Sequence, residues 1–169
     1  DSKEIVNKVK KLGFHDFILR GKSLSNDNIG MNSVIVDAIK KISKSYLIEN
    51  IICVFPCNPF LKKNALKKSL NILKKNKNAF IFPVVKYSHP IERAYFFLNK
   101  KFIKRLTRVD QNERIQDYSG KYFDAGSFYT ANKKIWLNER RNKVIGIKTD
   151  WWNAADIDTP KDWKKAELL

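Results

Sequence analysis

The sequence predicts an α/β fold whose doubly wound, mostly parallel sheet carries helices on both faces. Short apolar runs of strand length occur at residues 50–55, 79–87 and 143–149, and amphipathic helical patterns separate them. Strands buried on both faces of a parallel sheet are continuously apolar, and each needs a crossover helix to reach the next. With 169 residues, of which 43% are hydrophobic, the chain is expected to form one domain over residues 1–169.

The first third of the chain contributes a helix, a strand and a second helix. Residues 1–12 repeat apolar side chains on one helical face, with Asp1 placed to cap the N-terminus. Residues 14–20 have the composition of a short strand that ends at Arg20, and residues 33–45 form the next helical pattern.

The second half departs from this regular alternation. After a helix at 62–76 and a strand at 79–87, residues 88–136 mix aromatic and charged side chains without a clear period, and we interpret them as an excursion from the sheet. The other predicted elements are a strand at 122–131, a helical stretch at 132–141, a strand at 143–149, and a strand end that leads into a last helix within 155–169.

Composition limits the classes of function. The net charge of +17 permits a polyanionic partner, but the lysines occur as short pairs on the polar side of helical patterns, as on a solvated surface, and both interpretations stay open. Cys53 and Cys57 have no second pair and the two histidines are too scattered to complete a zinc site, so we expect reduced, packed thiols. No apolar stretch reaches the roughly 20 residues that span a bilayer, which favours a cytoplasmic protein.

Two aspartates near the C-terminus stand out in this basic chain. Asp156 and Asp158 alternate in ADID, and on an extended strand residues two apart point the same way, so both carboxylates would reach one point. Carboxylate pairs hold Mg²⁺ together with substrate phosphates. The alternative is a plain helix start, with Thr159 as N-cap, Pro160 in the first turn and Asp162 closing a capping box, which leaves Asp156 unexplained.

Two further positions lie where predicted strands end, which is where ligands bind in open α/β sheets. After the apolar run at 50–55, Asn58 is a candidate helix N-cap and Pro59 the first helical residue, and together with Pro56 they leave backbone donors toward the crevice. A plain strand–helix turn is the alternative. Arg20 is placed to hydrogen-bond or stack on a base or phosphate.

The excursion contains a mixed set of donors and acceptors. Its candidate ligand-binding residues are Arg114, Gln116, Asp117, Lys121, Tyr122 and Asp124. They surround Ala125 and Gly126, where a ligand can approach the backbone closely. A polar dimer interface is the alternative explanation.

Several stretches, in the same order, resemble the cytidylyltransferases that activate nine-carbon acidic sugars. They are Arg20 with LSND, FPCNPFL, VVKYSHPIERA, RIQDYSGKYFDAGSFY and DIDTPKDWKKAE, and they span nearly the whole chain. HPIERA, QD and DAGSFY favour the pseudaminic acid branch over the neuraminic acid branch. The resemblance implies a Rossmann-like sheet of the nucleotide-diphospho-sugar transferase type, and an enzyme that transfers CMP from CTP to the sugar and releases pyrophosphate.

The resemblance also implies roles for the candidate residues. Asp156 and Asp158 would hold Mg²⁺ and so act in catalysis. The nucleotide-binding residues would be Arg20, Pro56, Asn58 and Pro59. The sugar-binding residues would be Arg114, Gln116, Tyr122 and Asp124, with Arg114 a partner for the sugar carboxylate. The excursion at 88–136 is expected to pack against a second subunit in a homodimer.

One departure from the family pattern concerns the nucleotide. Members begin with a strand and a loop of the form P-A-R-x-x-S-K that cradles the triphosphate, and no such stretch occurs in this sequence, which starts with Asp rather than Met. We therefore expect the natural protein to extend further at its N-terminus. Two other functions stay open: a basic nucleic-acid-binding module that uses the rings and cations of residues 93–108, and a non-catalytic remnant of the same fold.

Overall fold

The computed structural model describes residues 2–26, 28–107, 114–138 and 141–169. The α-helices in these ranges are α1 (Lys3–Lys11), α2 (Met31–Ile42), α3 (Lys63–Lys75), α4 (Lys133–Asn138) and α5 (Pro160–Ala166). The strands are β1 (Asn50–Val54), β2 (Phe80–Lys86), β3 (Tyr95–Phe97), β4 (Ile103–Arg105), β5 (Tyr122–Asp124), β6 (Phe128–Asn132) and β7 (Val144–Thr149). Single turns of 3-10 helix occur at Lys22–Leu24, Ile91–Arg93, Ile115–Asp117 and Trp151–Ala154.

The main sheet is mixed, with β2 at its centre. β7 pairs with β2 in parallel, while β6 and then β5 pair with it in antiparallel fashion along its other side. β1 pairs antiparallel with β6. It follows that β1, β2 and β7 point the same way and that β5 and β6 run against them.

The α/β prediction is confirmed, but the prediction of a mostly parallel sheet is not. The apolar runs that suggested parallel strands do share one direction. The excursion, however, returns β6 into the sheet between β1 and β2, so those two strands pair with an antiparallel neighbour instead of with each other. Apolar periodicity does not record which strand a given strand is bonded to.

The single strand predicted at 122–131 is divided in two. β5 and β6 follow one another along the same side of β2, where Asp124 pairs with Val84 and Thr130 pairs with Ile81. Ala125 N still donates to the Pro83 carbonyl oxygen at 3.0 Å, and the bulge is at Gly126, whose φ of 62° lies in the left-handed region.

Helices cover both faces of the sheet. Phe80 of β2 packs in one buried cluster with Ile39 of α2 and Trp136 of α4, and its neighbour Ile81 packs in a second cluster with Leu73 of α3. Because successive strand residues point to opposite faces, the two clusters lie on the two sides of the sheet. This part of the doubly wound prediction agrees with the structure.

The N-terminal region differs from its prediction. α1 is capped by Ser2, whose hydroxyl accepts from Glu4 N at 3.1 Å, whereas the predicted cap Asp1 lies outside the described residues. Residues 14–20 form no strand, and Phe14 and Phe17 are exposed. The predicted strand is wrong because composition alone does not supply a ladder, and no described strand pairs with this segment.

The excursion has a structural unit of its own. β3 and β4 form a two-stranded antiparallel hairpin, with Tyr95 opposite Arg105. The Arg105 guanidinium donates to the Tyr95 hydroxyl at 2.8 Å. Residues 108–113 of the excursion lie outside the described ranges. Among the described helices, none is both long enough and apolar enough to cross a membrane.

Candidate functional site

The carboxyl ends of three strands meet at one edge of the main sheet, which we call the carboxyl edge. β1 ends at Val54, β2 at Lys86 and β7 at Thr149, and these strands point the same way. In open α/β sheets the segments that follow such ends line the ligand crevice. Here those segments are residues 55–62 after β1 and residues 150–159 after β7.

Two hydrogen bonds join these segments. Ile157 N donates to the Cys57 carbonyl oxygen at 3.1 Å, and Asn58 Nδ2 donates to the Asn153 carbonyl oxygen at 2.8 Å. Asn58 Oδ1 also accepts from Phe60 N at 3.0 Å, which closes a tight turn. One backbone–backbone bond and one bond from the Asn58 side chain to a backbone carbonyl therefore fix the two loops relative to each other.

This use of Asn58 overturns one prediction. Asn58 is not the N-cap of a helix and Pro59 is not a first helical residue, because α3 begins at Lys63 with Lys62 as its N-cap. The side chain of Asn58 is instead engaged in the turn and in the bond to the second loop. Pro56 and Pro59 lie in turns of the same loop, at the carboxyl edge, as the strand–helix break predicted.

Three potential cation ligands converge where the loops meet. Cys57 Sγ and one carboxylate oxygen from each of Asp156 and Asp158 all lie within 4.8 Å of one another. We call these residues the cation cluster. All three are accessible to solvent, so an ion can reach them without rearrangement of the core.

The reason for the convergence differs from the one predicted. Residues 155–158 are not a strand; they form an irregular loop between the turn at Trp151–Ala154 and α5. Asp156 and Asp158 nevertheless flank Ile157, whose N–H is bonded to Cys57 on the other loop. Alternation around that anchored residue brings both carboxylates to the same place.

Electrostatics in the cluster favour the arrival of positive charge. Partial burial, the negative charge of Asp158 and that of Asp162 raise the pKa of the Asp156 carboxyl above its ordinary value. A cation beside Asp156 would offset both the lost hydration and the repulsion between carboxylates. The ionised pair therefore favours a bound cation, which is the arrangement predicted for Mg²⁺.

The neighbouring acid has a different role. Thr159 and Asp162 form the predicted capping box of α5: Asp162 N donates to Thr159 Oγ1 at 3.3 Å and Thr159 N donates to Asp162 Oδ2 at 3.1 Å. Hydrogen bonds from the Thr159 hydroxyl and from Lys165 lower the pKa of Asp162. Asp162 therefore belongs to the helix start predicted together with Thr159 and Pro160. This helix start does not explain why Asp156 and Asp158 lie together.

Arg20 lies in the irregular segment that precedes the Lys22–Leu24 turn. Its Nη1 donates to the Leu24 carbonyl oxygen at 3.5 Å, which holds the arginine against its own loop. Asp27, at the end of that loop, lies outside the described residues. The role of Arg20 in nucleotide binding stays a prediction.

The predicted sugar-binding residues come from the excursion. Arg114 is paired with Asp117 by two side-chain contacts of 3.0 Å each, one from Nε and one from Nη2. Gln116 lines a polar cavity of about 180 Å³ together with Ser88, His89 and Lys121.

Tyr122 and Asp124 stand on β5. Tyr122 pairs with Lys86, the last residue of β2, and therefore lies at the carboxyl edge, where Lys148 Nζ sits 5.2 Å from its ring centroid. Asp124 accepts from Gly126 N at 2.9 Å and from the Tyr129 hydroxyl at 2.6 Å. Burial, and next the Asp124 carboxylate, raise the pKa of Tyr129, so this hydroxyl remains a donor to Asp124.

Sequence reasoning missed two features of the site. The sequence predicts only that Cys57 packs as a reduced thiol. Nothing in the sequence indicates that Cys57 lies beside Asp156 and Asp158, which are far along the chain. A second cavity, of about 210 Å³, lies between α3 and the sheet, and Asn153, the backbone partner of Asn58, is among its lining residues. Its cationic residues are Lys62, Lys68 and Lys148. In the sequence, a lysine near the end of an apolar strand, Lys148, is the pattern that could have indicated this basic cavity.

Comparisons with known proteins agree with the resemblance in the sequence. A family model described as cytidylyltransferase matches residues 1–165 of the chain. Two curated relatives, pseudaminic acid cytidylyltransferases of Campylobacter jejuni subsp. jejuni from serotypes O:23/36 and O:2, are each 27% identical to the chain over 175 residues. Each of these alignments covers 100% of the chain and 75% of the relative.

Proposed function

The chain belongs to the cytidylyltransferase family and is a CTP-dependent nucleotidyltransferase, and from this premise we propose that it transfers CMP to a nine-carbon acidic sugar, with pseudaminic acid as the favoured substrate. In this reaction a hydroxyl oxygen at the anomeric carbon attacks the α-phosphorus of CTP. The bond from that phosphorus to the bridging oxygen breaks, pyrophosphate leaves, and the hydroxyl proton passes to solvent.

The observation that carries the proposal is the cation cluster at the carboxyl edge. Asp156 and Asp158 supply oxygen ligands from a loop that is tied to the loop after β1. Mg²⁺ takes one or two carboxylates and completes its shell with water and phosphate oxygens, so these residues fit it. Neutralisation of charge on the phosphates is the chemistry that such an ion supplies when bound.

Basic groups that line the second cavity support the binding of a polyanion. Lys62, Lys68 and Lys148 lie in its wall, and their charges would attract the triphosphate of CTP. Pro56, Asn58 and Pro59 shape the loop after β1, and Asn58 bonds to Asn153, a residue of the cavity wall. Arg20 is proposed to meet the nucleotide from the N-terminal side.

On the sugar side, we assign substrate contacts to Arg114, Gln116, Tyr122 and Asp124. The fork of Arg114 is already oriented by Asp117, and a sugar carboxylate would compete for the same donors. Asp124 is fixed by Gly126 and Tyr129, so its orientation does not depend on substrate. A fixed acceptor discriminates sugar hydroxyls better than a mobile one.

The proposal includes a homodimer formed through the excursion. Large apolar side chains of the β3–β4 hairpin are exposed, and contiguous apolar surface of this kind marks interaction sites. The most exposed of them are Phe97, Leu98, Phe102 and Leu106. A second copy of the chain is the partner that the resemblance implies.

The experiment that tests the function is CTP-dependent release of pyrophosphate by the full-length protein, with Mg²⁺ and each of three sugars in turn. Pseudaminic, legionaminic and N-acetylneuraminic acids are offered at equal concentration, with CTP alone as the blank. Release above the blank with pseudaminic acid is expected. Release with another of the three would keep the reaction and change the substrate; no release from folded protein would favour the non-catalytic remnant.

A further inference from the structure

A polar cavity opens where β2 and β5 separate. Lys86 pairs with Tyr122 at the end of the ladder, and Tyr87 N still donates to the Lys121 carbonyl oxygen at 3.0 Å. Beyond this bond the residues after β2 and those before β5 diverge, and the cavity of about 180 Å³ lies between them. It therefore adjoins Tyr122, and Gln116 lines it; both are residues assigned to the sugar.

The size of the cavity limits what it can hold. Its volume corresponds to about six water molecules at roughly 30 Å³ each. A nine-carbon sugar with its substituents has several times as many non-hydrogen atoms, whereas a single acylamino group has fewer. The cavity therefore suits one substituent of the sugar and not the whole molecule.

The lining of the cavity matches the two halves of an acylamino group. Its polar side chains include Ser88, His89 and Gln116, which can donate hydrogen bonds, and no acidic side chain is among the described residues that line it. A wall of this kind favours an acceptor such as a carbonyl oxygen. Pro90 and Ile115 add apolar surface that suits the acyl methyl group.

Neighbouring side chains hold two of the donors. Ser88 Oγ lies 3.1 Å from His89 Nδ1, and when the hydroxyl donates to Nδ1, the ring carries its proton on Nε2. Lys121 Nζ donates to Ser119 Oγ at 2.8 Å and lies 3.3 Å from Glu92 Oε1. The ammonium of Lys121 is thus already engaged, whereas the described residues place no hydrogen-bond partner on His89 Nε2.

We propose that this cavity binds one acylamino substituent of the sugar, with His89 donating through Nε2 to the acyl carbonyl oxygen and so contributing to substrate specificity. The inference rests on the proposed transfer of CMP to a nine-carbon acidic sugar and adds His89, positioned by Ser88, to the substrate contacts. It is separate from the carboxylate contact assigned to Arg114, which does not line the cavity. Because His89 acts in binding, its loss should change the KM for the sugar and not kcat.

The first test measures pyrophosphate release by the full-length protein with pseudaminic acid. His89→Ala should raise the KM for the sugar by about two- to twelvefold, the range for one hydrogen bond, with kcat and the KM for CTP near their wild-type values. His89→Gln keeps an N–H donor and should recover most of the loss. The matched control is His15→Ala at the other histidine of the sequence, which does not line the cavity and whose loss should leave every constant unchanged.

The second test varies the acyl group, with N-acetyl replaced by N-butanoyl in the sugar. Wild type should use the longer analogue less efficiently, because the cavity fits a small group. His89→Ala removes a ring from the wall, so its ratio of kcat/KM for the N-butanoyl to the N-acetyl sugar should exceed that of wild type by about fourfold for each methylene that it accommodates. An unchanged KM or an unchanged ratio in folded His89→Ala would overturn the proposal.

A third measurement separates this inference from the reaction itself. Saturation-transfer NMR of the full-length protein with pseudaminic acid, in the absence of CTP, reports which protons of the sugar contact the protein. The acyl methyl protons should receive strong saturation with wild type and less with His89→Ala. Protein that binds the sugar in this way but releases no pyrophosphate would keep the cavity assignment and refute the transfer; turnover without saturation of the acyl methyl protons would refute the cavity assignment alone.

Discussion

At Asp156 an exposed carboxylate faces a second carboxylate, and the proposed function depends on both. Asp156→Asn and Asp158→Asn keep the size and shape of the side chain and remove its charge. We expect each variant to lower kcat by at least about 10²–10³-fold, the range found when one electrostatic contributor to a transition state is removed. The measurement is pyrophosphate release at saturating CTP and Mg²⁺.

The control for those variants is Asp162→Asn, which removes an acid from the first turn of α5 that closes the capping box and supplies no ligand atom to the cluster. Its kcat should stay near that of wild type in protein that remains folded. Wild-type turnover in either cluster variant would remove the aspartates from the catalytic assignment.

The pKa of Asp156 carries a second prediction, about stability. Because its pKa is raised above the ordinary value of 3.8, the proton binds more tightly to the folded chain, and the ionised form lowers the free energy of unfolding. In the presence of a chelator at pH 7, Asp156→Asn should therefore be more stable than wild type. This advantage should shrink as the pH falls through the raised pKa toward 3.8.

Asp162→Asn gives the opposite sign in the same experiment. Its lowered pKa means that the ionised carboxylate stabilises the fold above the ordinary value of 3.8, and that this contribution is lost as the pH falls through the lowered folded pKa. Urea denaturation at a series of pH values measures both variants. A cluster variant that is less stable than wild type at pH 7 would contradict the burial and repulsion inferred at Asp156.

Residue chemistry explains what the sequence could predict of the site. The capping box was predictable because Thr159, Pro160 and Asp162 interact only with local groups. The pairing of Asp156 with Asp158 was predictable from their spacing, although the reason proposed, an extended strand, was wrong. The proximity of Cys57 to the two aspartates was not predictable, because its neighbours come from a loop that joins it only through tertiary hydrogen bonds.

At the scale of elements, the break between β5 and β6 depends on one glycine. Gly126 has a φ of 62°, and a Cβ there would meet nothing within 4 Å, so the cost of a substitution is conformational rather than steric. Gly126→Ala should lower the free energy of unfolding by about 1–2 kcal/mol, the cost of a left-handed L-residue. Urea denaturation monitored by circular dichroism measures it.

Gly21→Ala is the matched control. Gly21 has a φ of −66°, which any L-residue adopts, and the nearest atom to an added Cβ is 4.0 Å away. This variant should be neutral or slightly more stable than wild type, because alanine reduces the entropy of the unfolded chain. Equal effects of the two substitutions would show that the backbone at Gly126 does not need a glycine.

The elements themselves differ in how readily they could be predicted. α3 and β2 follow from periodicity and continuous apolar residues, and the structure places both within a residue or two of the prediction. The strand at 14–20 and the single strand at 122–131 were wrong for related reasons. A strand forms only where a partner offers a ladder, and its continuity depends on the partner's register, which composition does not encode.

At the scale of the whole molecule, the sheet combines a predictable and an unpredictable part. The common direction of β1, β2 and β7 places their ends at one edge, and this is why the rule for open α/β sheets found the loops of the site. The insertion of β6 between β1 and β2 was not predictable, because it is a long-range pairing of the excursion. The same excursion brings Tyr122 to the carboxyl edge, where it pairs with Lys86 at the end of β2.

The exposed hairpin of the excursion leads to the last prediction, which concerns assembly. Phe97 is 72% exposed and Phe102 is 60% exposed on a hairpin that the main core does not cover. If this surface pairs with a second copy, Phe97→Ser with Phe102→Ser should convert a dimer to a monomer in sedimentation equilibrium. Leu47→Ser is the control, since Leu47 is 95% exposed outside the excursion and its loss should leave the dimer intact. A wild-type chain that stays monomeric at every concentration would contradict the dimer, and a dimer unaffected by the double substitution would place its interface elsewhere.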